Sequence, residues 1–276
     1  MSRLGLSKLC IMGSIALSLA WVEGANGQSS QVPDLSGGDG GWVHARGAGF
    51  RTVPGSAPMV SQDPGHPFTP GRGTAYRIGD TSNPNLKQWA KDVMKKDADE
   101  IDHGKVGFQP SSSCVPAGVP NMMESPGPLM IVQGAKEVVM FGEGGNEVRH
   151  IHLDVPHSAN PKPSWTGESV GHYEGGDTLV VDTIGLSDRT FVDGYRTPHT
   201  TQEHVVERFK ITDGGKKLDV SFTVDDPGAF YKPWGATRPR FLAKGQPLTE
   251  DACANNNDDK FNQGFEDVPT ADKPDF

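Results

Sequence analysis

Six of the nine histidines fall between Arg149 and Arg208, at His150, His152, His157, His172, His199 and His204, and Asp182, Asp188, Asp193 and Glu207 lie in the same stretch. General acid/base chemistry needs a group that titrates near neutral pH beside one that fixes its tautomer, and an imidazole with a carboxylate meets that need. The pattern therefore points to His199 or His204 as proton carrier, with Asp188 or Glu207 orienting it and Asp182 as a further carboxylate. Asp182 also follows the apolar run Leu179 to Val181, where a carboxylate often just accepts backbone N–H groups. Arg149 and Arg208 are available to hold a substrate anion. His150 and His152 form an H-x-H pair that a strand would place on one face, and with His157 they could chelate zinc or iron if the fold supplied more ligands. Surface or hydrogen-bonded histidines without a metal are the favoured reading.

Trp165, Tyr173, Tyr231 and Trp234 stand beside Gly, Pro and Asp residues. Amphipathic rings in such loops could stack a ring-shaped or apolar substrate, with Arg149 to hold its charge. Ser169 lies in Gly167-Glu168-Ser169-Val170-Gly171, a G-x-S-x-G match. That motif works on a strand-to-helix turn, whereas these residues run straight into a β segment, so no hydrolase of that type is expected.

A β scaffold must position these groups. From residue 129 onward the chain consists of short apolar or alternating runs: Leu129 to Gln133, Glu137 to Phe141, Glu147 to Leu153, Ser169 to Glu174, Thr178 to Ile184, His204 to Ile211, Lys217 to Val224 and Arg240 to Ala243. Glu143-Gly144-Gly145-Asn146, Gly175-Gly176-Asp177 and Asp213-Gly214-Gly215 supply residues that tolerate positive φ, which predicts three hairpins. The fold expected is mainly β, an antiparallel barrel or sandwich with a lipocalin-like barrel favoured. Ahead of it, Leu86, Trp89, Val93, Met94 and Ile101 recur at helical spacing after Ser82 and Asn83, which predicts one amphipathic helix over residues 84 to 101.

The chain opens with Arg3 and Lys8, an uncharged apolar stretch from Leu9 to Val22, and Ala25-Asn26-Gly27, the pattern of a signal peptide covering residues 1–27. That stretch is short of the roughly 20 residues a membrane-spanning helix needs. Residues 28–80, rich in Gly, Pro, Ser and Asp, read as an extended, loop-rich lead-in, and residues 81–276 as a single β-rich domain. Cleavage would remove Cys10 and leave Cys114 and Cys253, an even pair expected to form one disulfide in a secreted or periplasmic protein. Without residues 1–27 the chain has 24 basic and 34 acidic residues, a formal charge of −10 with no Lys/Arg cluster, so nucleic acid is not an expected partner. No nucleotide or haem motif is present and no cofactor is expected.

The segment Trp165-Thr166-Gly167-Glu168-Ser169-Val170-Gly171-His172-Tyr173-Glu174-Gly175-Gly176-Asp177-Thr178-Leu179-Val180-Val181-Asp182-Thr183 resembles a family of exported bacterial proteins of unassigned function. Their pattern is W-x-G-x-S-x-G-x-[WY]-E-G-D-T-L-V-V-D-T. The likeness extends from Cys114-Val115-Pro116-Ala117-Gly118-Val119-Pro120 to Tyr231-Lys232-Pro233-Trp234, with departures at Tyr173, usually Trp, and at the extra Gly176. The H-x-H of His150 and His152 is not a feature of that family. The resemblance implies Asp182, Asp188, His199, His204, Glu207 and Arg208 as the better site residues, and carries no reaction with it.

Two functions follow. The first is a metal-independent acid/base enzyme, a lyase, isomerase or hydrolase acting on a small molecule. The second is a barrel that binds a small apolar or sugar-like ligand without altering it. The first requires His199 or His204 beside a carboxylate inside a pocket; the second requires an aromatic-lined pocket with those histidines outside it.

Overall fold

In the computed structural model the residues described are 32–45, 49–68, 73–125, 127–143, 147–246 and 248; residues 1–27, Cys253 and the expected turn at 144–146 lie outside them. In chain order the elements are β1 (Gly40–His44), β2 (Arg51–Thr52), α1 (Gln88–Asp102), β3 (Leu129–Gln133), β4 (Glu137–Gly142), β5 (Glu147–Leu153), β6 (Glu168–Glu174), β7 (Thr178–Ile184), β8 (His204–Thr212), β9 (Lys217–Asp225), β10 (Trp234–Thr237) and β11 (Arg240–Lys244). Nine strands, ordered β11-β1-β3-β4-β5-β6-β7-β8-β9, close into a barrel where Arg240 and Phe241 of β11 pair with Leu218 and Lys217 of β9. β10 pairs with the far half of β9 and carries β2 on its other edge.

Alternation decides which side chains enter the barrel. Along β5, Glu147, Arg149, Ile151 and Leu153 are buried while Val148, His150 and His152 are exposed, the period of 2 that a half-buried strand imposes. Val138, Met140, Leu179, Val181, Val205, Phe209 and Val220 fill the core from the neighbouring strands. The turns at Gly175–Gly176 and Asp213–Gly215 adopt positive φ, as the hairpins β6–β7 and β8–β9 require.

The structure departs from expectation in several places, the unexpected short strands β2 and β10 among them. The segment read as a lead-in contributes β1, which pairs with β11 from Gly40↔Lys244 to His44↔Arg240 and buries Trp42, whose Nε1 donates to the Leu35 carbonyl at 2.7 Å. Next, β5 and β6 run parallel, because residues 154–167 carry the chain back to the middle of β5, beside Ile151, before β6 begins. Finally, the helix begins at Gln88 and buries Ala90, Met94 and Ile101, leaving Trp89 and Val93 exposed; Leu86 instead bridges Phe230. Among the described residues no helix is long and apolar enough to cross a membrane.

Candidate functional site

Asp182 on β7 and His204 on β8 meet on the outer wall of the barrel, and the loop that makes β6 parallel brings His157 to the same place. Asp182 Oδ1 lies 2.9 Å from His157 Nε2 and 2.9 Å from His204 Nε2. His157 Nδ1 lies 3.0 Å from Glu168 Oε1, whose carboxylate also accepts from the Ser158 N–H at 2.7 Å and hydroxyl at 2.6 Å. Those two Ser158 bonds hold Glu168 below its ordinary range. Two imidazoles on one carboxylate oxygen can pass a proton, but all of these groups are partly open to solvent on the outside of the barrel.

His199 is buried elsewhere, in the long β7–β8 loop. Its Nε2 is 2.7 Å from Thr190 Oγ1, and its Nδ1 is 2.8 Å from Glu203 Oε2 and 3.0 Å from the Thr200 carbonyl. The Thr190 hydroxyl donates to the Ser187 carbonyl at 3.0 Å, so Nε2 must supply the proton between them. Both ring nitrogens then carry protons. Burial pushes this imidazole down, yet the Glu203 carboxylate outweighs it and holds His199 above its ordinary value. The arrangement imitates a hydroxyl–imidazole–carboxylate triad, but an imidazolium whose two N–H groups are spent cannot act as a base. It pins the loop.

Glu207 faces the barrel interior, away from His204, and receives Arg149 Nη2 in a fully buried ion pair. Arg149 Nη2 also donates to Thr183 Oγ1 at 2.8 Å, and its Nε donates to Ser169 Oγ at 3.1 Å. These two residues neutralise each other inside a filled barrel, so neither is free for a substrate. Asp188 is exposed in the loop; the carboxylate beside His199 is Glu203, and the one beside His204 is Asp182.

The predicted aromatic set does not converge on a pocket. Trp234 is core, packed on Phe222 and Phe230. Tyr173 accepts from Gln133 Nε2 at 2.8 Å, Trp165 lies under the Arg189 guanidinium at 4.8 Å, and Tyr231 is exposed near Lys87. The possible metal set is also divided: His150 and His152 both turn toward Glu137, at 2.8 and 3.7 Å, while His157 belongs with Asp182. Among the described residues no three His, Cys, Asp or Glu side chains are arranged to hold a metal.

The concavity lies where the barrel wall is thinnest. β1 and β3 share one registered pair, Trp42↔Leu129, against five between β1 and β11 and five between β3 and β4. Beyond it the strands part around a cleft of about 810 Å³, within the range of small-molecule sites. Phe68, Phe108 and Phe191 supply an apolar lining, and Arg77, Arg196 and Arg238 a cationic one. Phe108 and Phe191 meet at a tilt of 58° with ring centroids 5.8 Å apart, and the Arg77 guanidinium stands 5.9 Å from the rings of both Phe68 and Tyr195. Gly194 lets the Glu124 carboxylate and the Arg77 guanidinium lie close to the backbone: a Cβ there would come within 2.5 Å of Glu124 Oε2 and 3.0 Å of Arg77 Nη1 and would displace these side chains. Sequence reasoning missed all of these residues, which come from separate loops with no shared motif; two phenylalanines left in polar loops, Phe68 and Phe108, were the available signal.

A scan of the sequence against models of known protein families finds no match, and a comparison with curated proteins finds none either.

Proposed function

We propose that this protein is a β-barrel module that binds a small molecule in the cleft beside β1 and does not transform it. The observation that carries this reading is the cleft itself, with its three phenylalanine rings, and with His199 locked in a buried ion pair and His204 on the outer wall, both outside it. The wider setting belongs to the same proposal: export directed by residues 1–27, a Cys114–Cys253 disulfide, and kinship with the exported family that the Trp165–Thr183 segment resembles. The test is a thermal-stability screen of the mature chain against small metabolites, repeated with Phe108→Ala and Phe191→Ala. Compounds that stabilise the parent should lose that effect in both variants. Stabilisation that survives both substitutions places the ligand elsewhere and overturns the reading.

A second reading rests on the two imidazoles that share Asp182 Oδ1. It holds that the outer wall carries acid/base chemistry on a larger substrate that covers it. Turnover of a screened compound that disappears in His204→Ala and Asp182→Asn, with its binding kept, would select this reading over the first.

A further inference from the structure

The cleft read above as the ligand site holds more cationic hydrogen-bonding capacity than its own carboxylates use. Arg77 Nη1 donates to Glu124 Oε2 at 3.1 Å, and the other oxygen of Glu124 accepts from the Phe50 N–H at 3.0 Å. Arg196 Nε donates to Asp97 Oδ2 at 2.6 Å and its Nη2 to the Arg77 carbonyl. Arg238 differs from both. Its Nη1 donates to the Gly49 carbonyl at 3.1 Å, but among the described residues no carboxylate forms an ion pair with it.

Burial makes this consequential. Arg238 is 5% exposed and Arg196 4%, and Arg238 Nε and Arg196 Nη1 are buried without a hydrogen-bond partner. A guanidinium taken out of water and left unpaired is costly, which is why buried cations are found with counter-ions. Asp193, which also lines the cleft, does not fill that role: its oxygens accept from the Tyr195 and Thr197 N–H groups and the Thr197 hydroxyl, and burial pushes it up to about 7. The rings beside these arginines are open, Phe68 at 45% and Phe108 at 39% exposure. The lining therefore presents a buried guanidinium without an ion-pair partner, Arg238, next to apolar surface.

We propose that the cleft selects an organic monoanion, a carboxylate on an aromatic or flat apolar body, with the carboxylate on the Arg238 guanidinium and the body against Phe68, Phe108 and Phe191. This inference rests on the cleft being the ligand site. A single unmatched cation calls for a single negative charge, and the rings call for a body that inorganic phosphate and other small ions lack.

Three probes test it by calorimetric titration of the mature chain: naphthylacetate, the neutral naphthylethanol of similar shape, and acetate. Naphthylacetate should bind about tenfold or more tightly than naphthylethanol, the margin of a charge-assisted hydrogen bond. Acetate, lacking the ring, should bind more weakly still. Arg238→Gln should erase the preference for naphthylacetate and leave naphthylethanol unchanged, and Arg238→Lys should restore part of it. Should Arg238→Gln fail to fold, the comparison between the two ring compounds on the parent chain decides alone. Equal binding of both, with binding lost in Phe108→Ala, overturns the selection of anions while the ligand site stands. No binding of either ring compound overturns the inference; the metabolite screen with the Phe108 and Phe191 variants then separately decides the ligand site.

Discussion

Glu147 lies inside the barrel, accepting the Gly118 N–H at 3.1 Å, and burial pushes it up from 4.5 to about 7. As pH rises from about 4.5 to 7 the unfolded chain releases a proton that the folded chain keeps, so this group's contribution is most favourable at low pH and is lost through that window. Glu147→Gln should therefore match the parent at about pH 5 and exceed it at about pH 8, by on the order of 3 kcal/mol in urea denaturation. An equal difference at both pH values would refute the assignment. The Arg149–Glu207 pair makes a second residue-scale prediction. Glu207→Leu leaves a guanidinium buried without its partner and should cost about 3–5 kcal/mol, whereas Arg149→Met with Glu207→Leu should recover most of that loss. The inward direction of Glu147, Arg149 and Glu207 was legible from alternation once their strands were recognised. The partner of each charge was not, because β5 and β8 are brought together by a register that depends on the strands between them.

Strands β3 to β9 and β11 were legible almost to the residue, since each carries enough alternating apolar positions and is bounded by turn residues. β1 was not: Gly-Gly-Trp-Val-His is five residues with two glycines, and it becomes a strand through pairing with β11, some two hundred positions away. β10 was hidden because it is four residues long with no alternating run of its own, although it pairs with nearby β9. Trp42 is what β1 buries, and Trp42→Ala should cost about 3–5 kcal/mol. It should also loosen the wall beside the cleft, so amide exchange across Val43, His44 and Leu129 should quicken more than exchange in the β7–β8 pair. Uniform acceleration over all strands would show that β1 is not a separable part of the wall.

At the scale of the molecule the acidic composition pointed away from the cleft, where the lining is cationic against an overall formal charge of −9. Local placement of a few arginines outweighs the net charge, because a buried or half-buried charge beside the cleft is poorly screened whereas exposed acidic groups farther than a Debye length away are largely screened. The cleft was illegible because its walls come from β1, the segment between β2 and α1, the loop preceding β3, the β7–β8 loop and the β10–β11 bend, and no window of sequence holds more than part of it. The β1–β11 pairing has a further consequence, in the order of assembly. Until residues 240–244 are in place, β1 is held to the rest of the sheet by Trp42↔Leu129 alone, so no N-terminal fragment can form the closed wall. Closing so long a loop is the entropically late step, and a growing chain must wait for β11, the last strand among the described residues, before it becomes a barrel.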